Sequence, residues 1–359
     1  MTHYLERILP LLPFSLLPFL PHPSLSFLSV LYVICFYLLL VVVALIKGRR
    51  RVGKVFIFLN LILLFSLIPS LIFNLKVFSF QYYFLFFALY LIVKPVHDFF
   101  YKDWELFLFI LLPFLFSMLF FHETHPPQRY SIFNGDPNYT AIIYFAMFFS
   151  FNLSVNSRFL SFLSWGLISY VFFMTGSRML LLILIFYILY SLFQGLRSFF
   201  SSRFFVVLTL IVSAAAQPLM SIQMDRILTL LAFTSDSSRY VHIGDSSNRE
   251  RLNANRDSIN FLIENKAARW VGSSNYLKEN PVARYIPHHW FMLLSVSYGL
   301  YFAFALFFCL LFVSIVVEPI FRFYMSLVFI SAGILGAFPI AMCLPVFFLV
   351  RKNVLSKKE

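Results

Sequence analysis

The run Lys47-Gly48-Arg49-Arg50-Arg51-Val52-Gly53-Lys54 separates two stretches, 25–46 and 55–75, that are almost wholly apolar. Each is long enough to cross the ~30 Å hydrocarbon core of a bilayer as a helix. Five basic residues and no acid in so short a connection assign it to the cytoplasm, because cationic loops are retained on that side. Similar apolar runs follow along almost the whole chain. With 61% hydrophobic and 12% charged residues and a mean hydropathy of +0.85, the composition excludes a soluble globular domain. The net charge of +13 does not point to nucleic acid, since the basic residues cluster in short loops between apolar runs. Cys35, Cys309 and Cys343 all lie inside such runs, so packed thiols are expected and no disulfide framework. The first apolar run is proline-rich and lacks a small-residue cleavage site, so no cleavable signal peptide is expected. The expected fold class is all-α: a polytopic integral membrane protein with about 10–12 transmembrane helices.

Fixing 47–54 inside sets the side of every other loop. Residues 8–21, interrupted by Pro10, Pro13, Pro18 and Pro21, read as a kinked or re-entrant segment. Span 55–75 leads out and 77–93 returns to Lys94, His97 and Lys102. Span 104–121 leads out to a polar segment, 122–138, with His122, Glu123, His125, Arg129 and Asp136. Spans 139–153, 159–174, 179–193 and 204–220 then alternate through Arg158 inside, a Gly-Ser-Arg turn outside, and Arg197 with Arg203 inside. The run 290–317 comes back to Glu318–Arg322, and 323–350, interrupted by Gly333, Gly336 and Pro339, reads as a hairpin of two short or tilted helices. The expected organisation is a first helical bundle (1–220), one long outer loop (221–288), C-terminal helices (289–350) and a basic cytoplasmic tail (351–359).

Three groups of polar residues fall on the outer side. In Thr175-Gly176-Ser177-Arg178, Thr175 or Ser177 can cap the helix that follows, leaving free N–H groups beside a bidentate arginine suited to phosphate oxygens. The same pattern also describes a capped helix end with a snorkelling arginine. Residues 221–287 hold nine basic and seven acidic residues, too balanced and too patterned at 249–264 for a plain linker. There Leu252, Ile259, Leu262 and Ile263 share one helical face, with Arg251 at one border and Arg249 and Arg256 near the other. Such a helix is expected to lie on the membrane interface, its arginines facing lipid headgroups or a bound phosphate. His288 and His289 admit three readings: a metal pair, incidental neighbours of a Trp290 anchor, or a neutral imidazole serving as general base. No Glu-x-x-His or Cys-x-x-Cys spacing accompanies them, so no metal is expected. Asp136 and Asn138 are expected to cap the next span.

Three islands, taken in order, resemble the O-antigen ligase and O-antigen polymerase superfamily of bacterial envelope glycosyltransferases. They are Gly135-Asp136-Pro137-Asn138-Tyr139-Thr140-Ala141; Thr175-Gly176-Ser177-Arg178 before a leucine-rich helix; and Arg249-Glu250-Arg251 through Glu264-Asn265-Lys266 and Gly272 to His288, with Tyr298-Gly299 beyond. The likeness covers about residues 130–300. It departs where His288-His289 replaces a usual His-Asn, where Asn255 stands near a usual tryptophan, and where a glycine-rich segment shrinks to Val271-Gly272-Ser273.

The resemblance implies a membrane fold of the GT-C type in the bacterial inner membrane, with its site facing the periplasm. It implies a glycan donor on undecaprenyl pyrophosphate, an acceptor that is lipid A–core or a lipid-linked glycan, and metal-independent, inverting transfer without a cofactor. Arg178 and Arg251, assisted by Arg249 or Arg256, would hold the pyrophosphate, and His288 would take the acceptor proton; His289, Asp136 and Asn138 are secondary. That assignment suits the chemistry, because a departing pyrophosphate gains negative charge and fixed arginines stabilise it most in the transition state. The expected activity is the ligase reaction, with polymerase as the alternative and a non-enzymatic flippase or exporter as a more distant one. The exporter requires a polar pathway that the apolar spans do not supply.

Overall fold

A computed structural model describes residues 102–120, 123–125, 129–131, 137–222 and 246–335 apart from a few positions between 274 and 288, with scattered positions in 61–72 and residue 340. The expected spans 8–21, 25–46 and 77–93, the loop 47–54, His122, Asp136, residues 223–245, His288, Gly336, Pro339 and the tail 351–359 lie outside the described residues.

What is described is almost entirely helical. Helix α1 (Asp103–Leu106) continues through a π-helical turn (Phe107–Leu111) into α2 (Leu112–Phe120). The cause is Pro113: it has no N–H for the Phe109 carbonyl, and the helix widens ahead of it, so that the Leu112 N–H bonds Phe107. A two-stranded antiparallel hairpin follows, β1 (Glu123–His125) and β2 (Arg129–Ser131), with His125 opposite Arg129. It is the one departure from all-α structure among the described residues.

Then come α3 (Pro137–Ser154), α4 (Arg158–Thr175), α5 (Arg178–Leu192), α6 (Gln194–Phe200) and α7 (Arg203–Ile222). The segment expected to form the long loop contains α8 (Ser246–Glu264), α9 (Lys266–Val271) and α10 (Tyr276–Glu279). The chain continues as α11 (Trp290–Tyr298), α12 (Leu300–Val316) and α13 (Pro319–Leu335). The run 290–317 is thus not one span. Gly299, at φ 89°, breaks it, a conformation that glycine adopts without steric cost.

Helix α3 forms the centre: residues 141–149 are all buried, as expected of a helix that is apolar all round. Aromatic contacts fix which helix ends meet. Phe149 packs on Tyr187 at 4.0 Å and on Tyr324 at 5.8 Å, and Tyr190 stacks on Phe323 at 4.0 Å. Phe200 lies 4.9 Å from Phe205 and 6.0 Å from Phe323. The Asp103 carboxylate accepts the N–H groups of Asn156 at 3.0 Å and Ser157 at 2.8 Å, closing the α3–α4 turn. Arg322 lies within electrostatic reach of Arg203 and Glu318. One end of the bundle therefore gathers the starts of α1, α4, α7 and α13 and the ends of α3 and α5. It is the end carrying Lys102, Arg158, Arg197, Arg203 and Arg322.

The flanks are apolar and open. Phe159, Phe162, Phe173, Leu192 and Phe204 are each about two-thirds exposed or more (67–77%). Among the described residues one helix, Arg158–Thr175, is long and apolar enough to cross a membrane; a second qualifies if Gln194–Phe200 and Arg203–Leu219, bent by 58°, form a single span. α5, α12 and α13 are apolar but shorter.

The Asp103 contact predicts that Asp103→Ala lowers stability by about 1–3 kcal/mol, because two backbone donors lose a charged acceptor. Asp103→Asn, which keeps an acceptor, should lose less. Unfolding followed by far-ultraviolet circular dichroism checks both, and equal stability of Asp103→Ala and wild type would show that this cap is idle.

Candidate functional site

Two of the three sequence islands meet directly. Helix α4 ends at Gly176, whose left-handed conformation (φ 55°) lets its N–H return to the Phe172 carbonyl at 3.0 Å. Ser177 then caps α5: its extended backbone aims Oγ at the Leu180 N–H, 3.3 Å away. Thr175, the other possible cap, instead donates its hydroxyl to the Val171 carbonyl at 2.8 Å. The Ser177 hydroxyl donates to Asn138 Oδ1 at 3.0 Å, tying the Gly-Ser-Arg turn to the first turn of α3. Asn138 is consequently not the cap of α3; it lies just inside that helix and braces the neighbouring one. Arg178 is the first residue of α5 and is exposed.

The loop island is packed into the protein rather than laid flat on an interface. Among the described side chains of α8 the buried ones are Ala254, Asn255, Ser258, Phe261 and Leu262, whereas Ile263 is 62% exposed and Leu252 and Ile259 are half-buried. The stripe is rotated from the expected one because α8 docks with small residues against α7. Asn255, fully buried, donates from Nδ2 to Gln217 Oε1 of α7 at 3.0 Å. Ser258 Oγ meets the Ala254 carbonyl at 2.6 Å and Tyr276 Oη at 3.1 Å. Phe261, Leu262, Ala268, Tyr276, Ala283, Met292 and Val296 form a second core between the loop helices and α11.

This rotation separates the arginines. At about 100° per residue, Arg251, Ala254, Asn255, Ser258 and Leu262 fall within an arc of about 100°, while Arg256 lies about 140° from Arg251. Arg251 is half-buried on the docking face; Arg256 is exposed beside Asp257. Burial pushes the Asp257 carboxyl above its usual range, and the Arg256 charge opposes that shift. Of Arg249 only the helical backbone is described. Arg269, which sequence reasoning did not single out, is structural: it donates to the Leu262 carbonyl at 2.7 Å and the Ile263 carbonyl at 2.5 Å, closing the end of α8.

Two glycines lock the loop to the helices. Gly272 (φ 79°) follows α9, and Gly299 separates α11 from α12. A Cβ on Gly272 would strike the Ser297 carbonyl and come within 2.6 Å of the Tyr298 nitrogen; one on Gly299 would strike the Trp270 carbonyl and lie 2.7 Å from the Val271 nitrogen. The Ser273 N–H completes the clasp with a bond to the Val296 carbonyl at 2.8 Å, and Trp270 stacks on Tyr301 at 4.6 Å outside it. His289 caps α11, its Nδ1 accepting from the Met292 N–H at 3.4 Å, and it is fully buried. The adjacent His288 is outside the described residues.

Helix lengths relate the two halves. Arg178 lies 12 residues, about 18 Å, along α5 from Tyr190, and Gln217 lies 14 residues, about 21 Å, along α7 from Arg203. Tyr190 and Arg203 belong to the same end of the bundle, so Arg178 and the Gln217–Asn255 junction share the opposite end. Among the described residues no group of three His, Cys, Asp or Glu side chains could hold a metal ion. No family model, curated protein or solved structure matches this chain.

The clasp predicts that Gly272→Ala and Gly299→Ala each destabilise the protein by about 1–3 kcal/mol or more, from positive φ alone and before the backbone collision is added. Thermal unfolding of the two variants tests this; wild-type stability in either would mean the two backbones do not approach so closely.

Proposed function

We propose that this chain is a membrane-embedded, metal-independent glycosyltransferase that moves an O-antigen-type glycan from undecaprenyl pyrophosphate onto a sugar hydroxyl of lipid A–core. The observation that supports this most is the Ser177–Asn138 hydrogen bond. It unites two separate islands of the family resemblance at the start of α5, beside an arginine and a helix N-terminus. The loop helix with Arg251 packs at the same end. The open phenylalanine flanks of α4 and α7 favour a lipid surround, since water-facing surfaces of this apolar extent are rare. In this reading the protein resides in the bacterial inner membrane, with the Arg178 end toward the periplasm.

The acceptor O–H gives its proton to His288 as its oxygen attacks the anomeric carbon from the face opposite the pyrophosphate. The anomeric C–O bond breaks, its electron pair leaves with the lipid pyrophosphate, and configuration inverts. The charge gained by the leaving group falls to Arg178 and Arg251. A half-buried guanidinium, partly stripped of water, acts more strongly on that charge than one fully in solvent. Arg256, turned away on α8 and next to Asp257, has a lesser part.

Transfer from a lipid-linked donor by the purified protein tests the reading. Arg178→Lys keeps the charge but loses the two-pronged grip, and Arg251→Ala loses both; each should lower kcat/KM by about 10²-fold. EDTA should leave turnover unchanged. Inhibition by EDTA that added zinc reverses, or full activity in both variants, contradicts the proposal. Product joined to a second lipid-linked repeat instead of lipid A–core identifies the polymerase reaction.

A further inference from the structure

A groove with a volume of about 450 Å³ runs between α2, with the π-helical turn before it, and α4. One wall extends from Phe107 to Leu119 and the other from Phe159 to Tyr170; apart from Gly166 and Tyr170, every lining residue is Phe or Leu. Gly166 keeps it open, since a Cβ there would meet nothing within 4 Å. Phe159 and Phe162 stand exposed at its edge, so the groove faces outward from the bundle. The two walls cover about 18 Å and 16 Å of helix. That is close to the ~15 Å depth of one bilayer leaflet, half of a ~30 Å hydrocarbon core.

Both walls begin at the same place. Asp103 accepts the Ser157 N–H at 2.8 Å, so the first turns of α1 and α4 touch, with Lys102 and Arg158 on either side of that bond. Both cations are exposed, and among the described residues neither forms an ion pair. The nearby carboxylates are engaged by backbone: Asp103 by Asn156 and Ser157, and the buried Glu105 by the Lys102 N–H at 2.7 Å. Trp104, 42% exposed, stands at the same level, where an indole suits the boundary between headgroups and hydrocarbon. The groove thus joins an apolar channel one leaflet deep to a pair of cations at headgroup height. Its other end stops at Tyr170, eight residues short of Arg178.

We propose that this groove seats one acyl chain of an anionic glycerophospholipid, whose phosphate is held between Lys102 and Arg158. The inference rests on the membrane-embedded reading above, in which the Lys102 end faces the cytoplasm. Charge placement favours such a lipid over an isoprenoid donor, whose pyrophosphate would sit at Arg178, at the opposite end from these two cations. A bound lipid fills the gap between α2 and α4, so it acts as part of the packing on that side of the bundle.

Native mass spectrometry of the full-length protein in dodecyl maltoside, titrated with dioleoyl phosphatidylglycerol or dioleoyl phosphatidylcholine, tests this. Wild type should bind phosphatidylglycerol at least about tenfold more tightly. Lys102→Gln and Arg158→Gln should each remove about fivefold of that preference and leave phosphatidylcholine unchanged. Gly166→Phe fills the groove without a collision and replaces a poor helix former, so the variant should fold; it should weaken both lipids about tenfold, as if a few buried methylenes were displaced. Equal binding of the two lipids by wild type, or unchanged binding in Gly166→Phe, overturns the inference. So does displacement of phosphatidylglycerol by an equal amount of undecaprenyl phosphate, which would give the groove to the donor tail. Release of the wild-type protein from membranes by alkaline carbonate overturns the membrane-embedded reading itself.

Discussion

Ser213, near the middle of α7, is where three other helices are held. The fully buried Trp290 of α11 donates its indole N–H to the Ser213 hydroxyl, and Gly333 of α13 lies against the Ser213 backbone, where a Cβ would come within 3.2 Å. One turn on, Gln217 takes the Asn255 amide of α8. In an apolar interior each of these groups needs a partner, and an indole or amide left without one costs about 1–3 kcal/mol. Directional bonds of this kind allow few alternative registers, whereas greasy helix faces tolerate many. Helix α7 thereby carries the register from the bundle to the loop helix α8.

The loop consequently belongs to the bundle. A helix resting on a membrane surface would turn Leu252, Ile259, Leu262 and Ile263 toward lipid; α8 instead buries a seam of small and polar residues on α7 and sends Ile263 outward. That rotation brings Arg251 onto the docking face and turns Arg256 away, so two arginines five residues apart do different work. The clasp of Gly272 and Gly299 anchors the far end of the loop without side chains, backbone against backbone. Between these anchors the break at Asn265 is bridged by Arg269, which bonds the last carbonyls of α8.

Much of this was legible in the residues. The spans expected at 104–121, 139–153, 159–174, 179–193 and 204–220 fall on helices because each apolar run is bounded by charged or capping residues, such as Ser157 before α4 and Ser177 before α5. The Gly-Ser-Arg turn was readable for the same local reason. The break at Gly299 was not, since an apolar run on both sides hides a glycine packed so closely on the Trp270 carbonyl, far away in sequence, that a Cβ would collide with it. Nor was the role of Asn138, whose partner Ser177 is 39 residues distant. The seam of α8 escaped a reading based on hydrophobicity because helices that approach closely use Ala, Ser and Asn in place of Leu and Ile. Asn255 was visible only as a point where the sequence resemblance fails; its buried, half-paired amide is a tertiary fact.

The proposed function requires Arg178 and the loop helix α8 to stand at one end of a membrane-embedded bundle, opposite Arg197. Single cysteines at 178, 256 and 197, reacted in cells with a membrane-impermeant maleimide, test it most directly. The account predicts that Arg178→Cys and Arg256→Cys are labelled from the periplasm of cells with an intact inner membrane, and that Arg197→Cys is labelled only after that membrane is opened. Labelling that divides positions 178 and 256 between the two sides would contradict it.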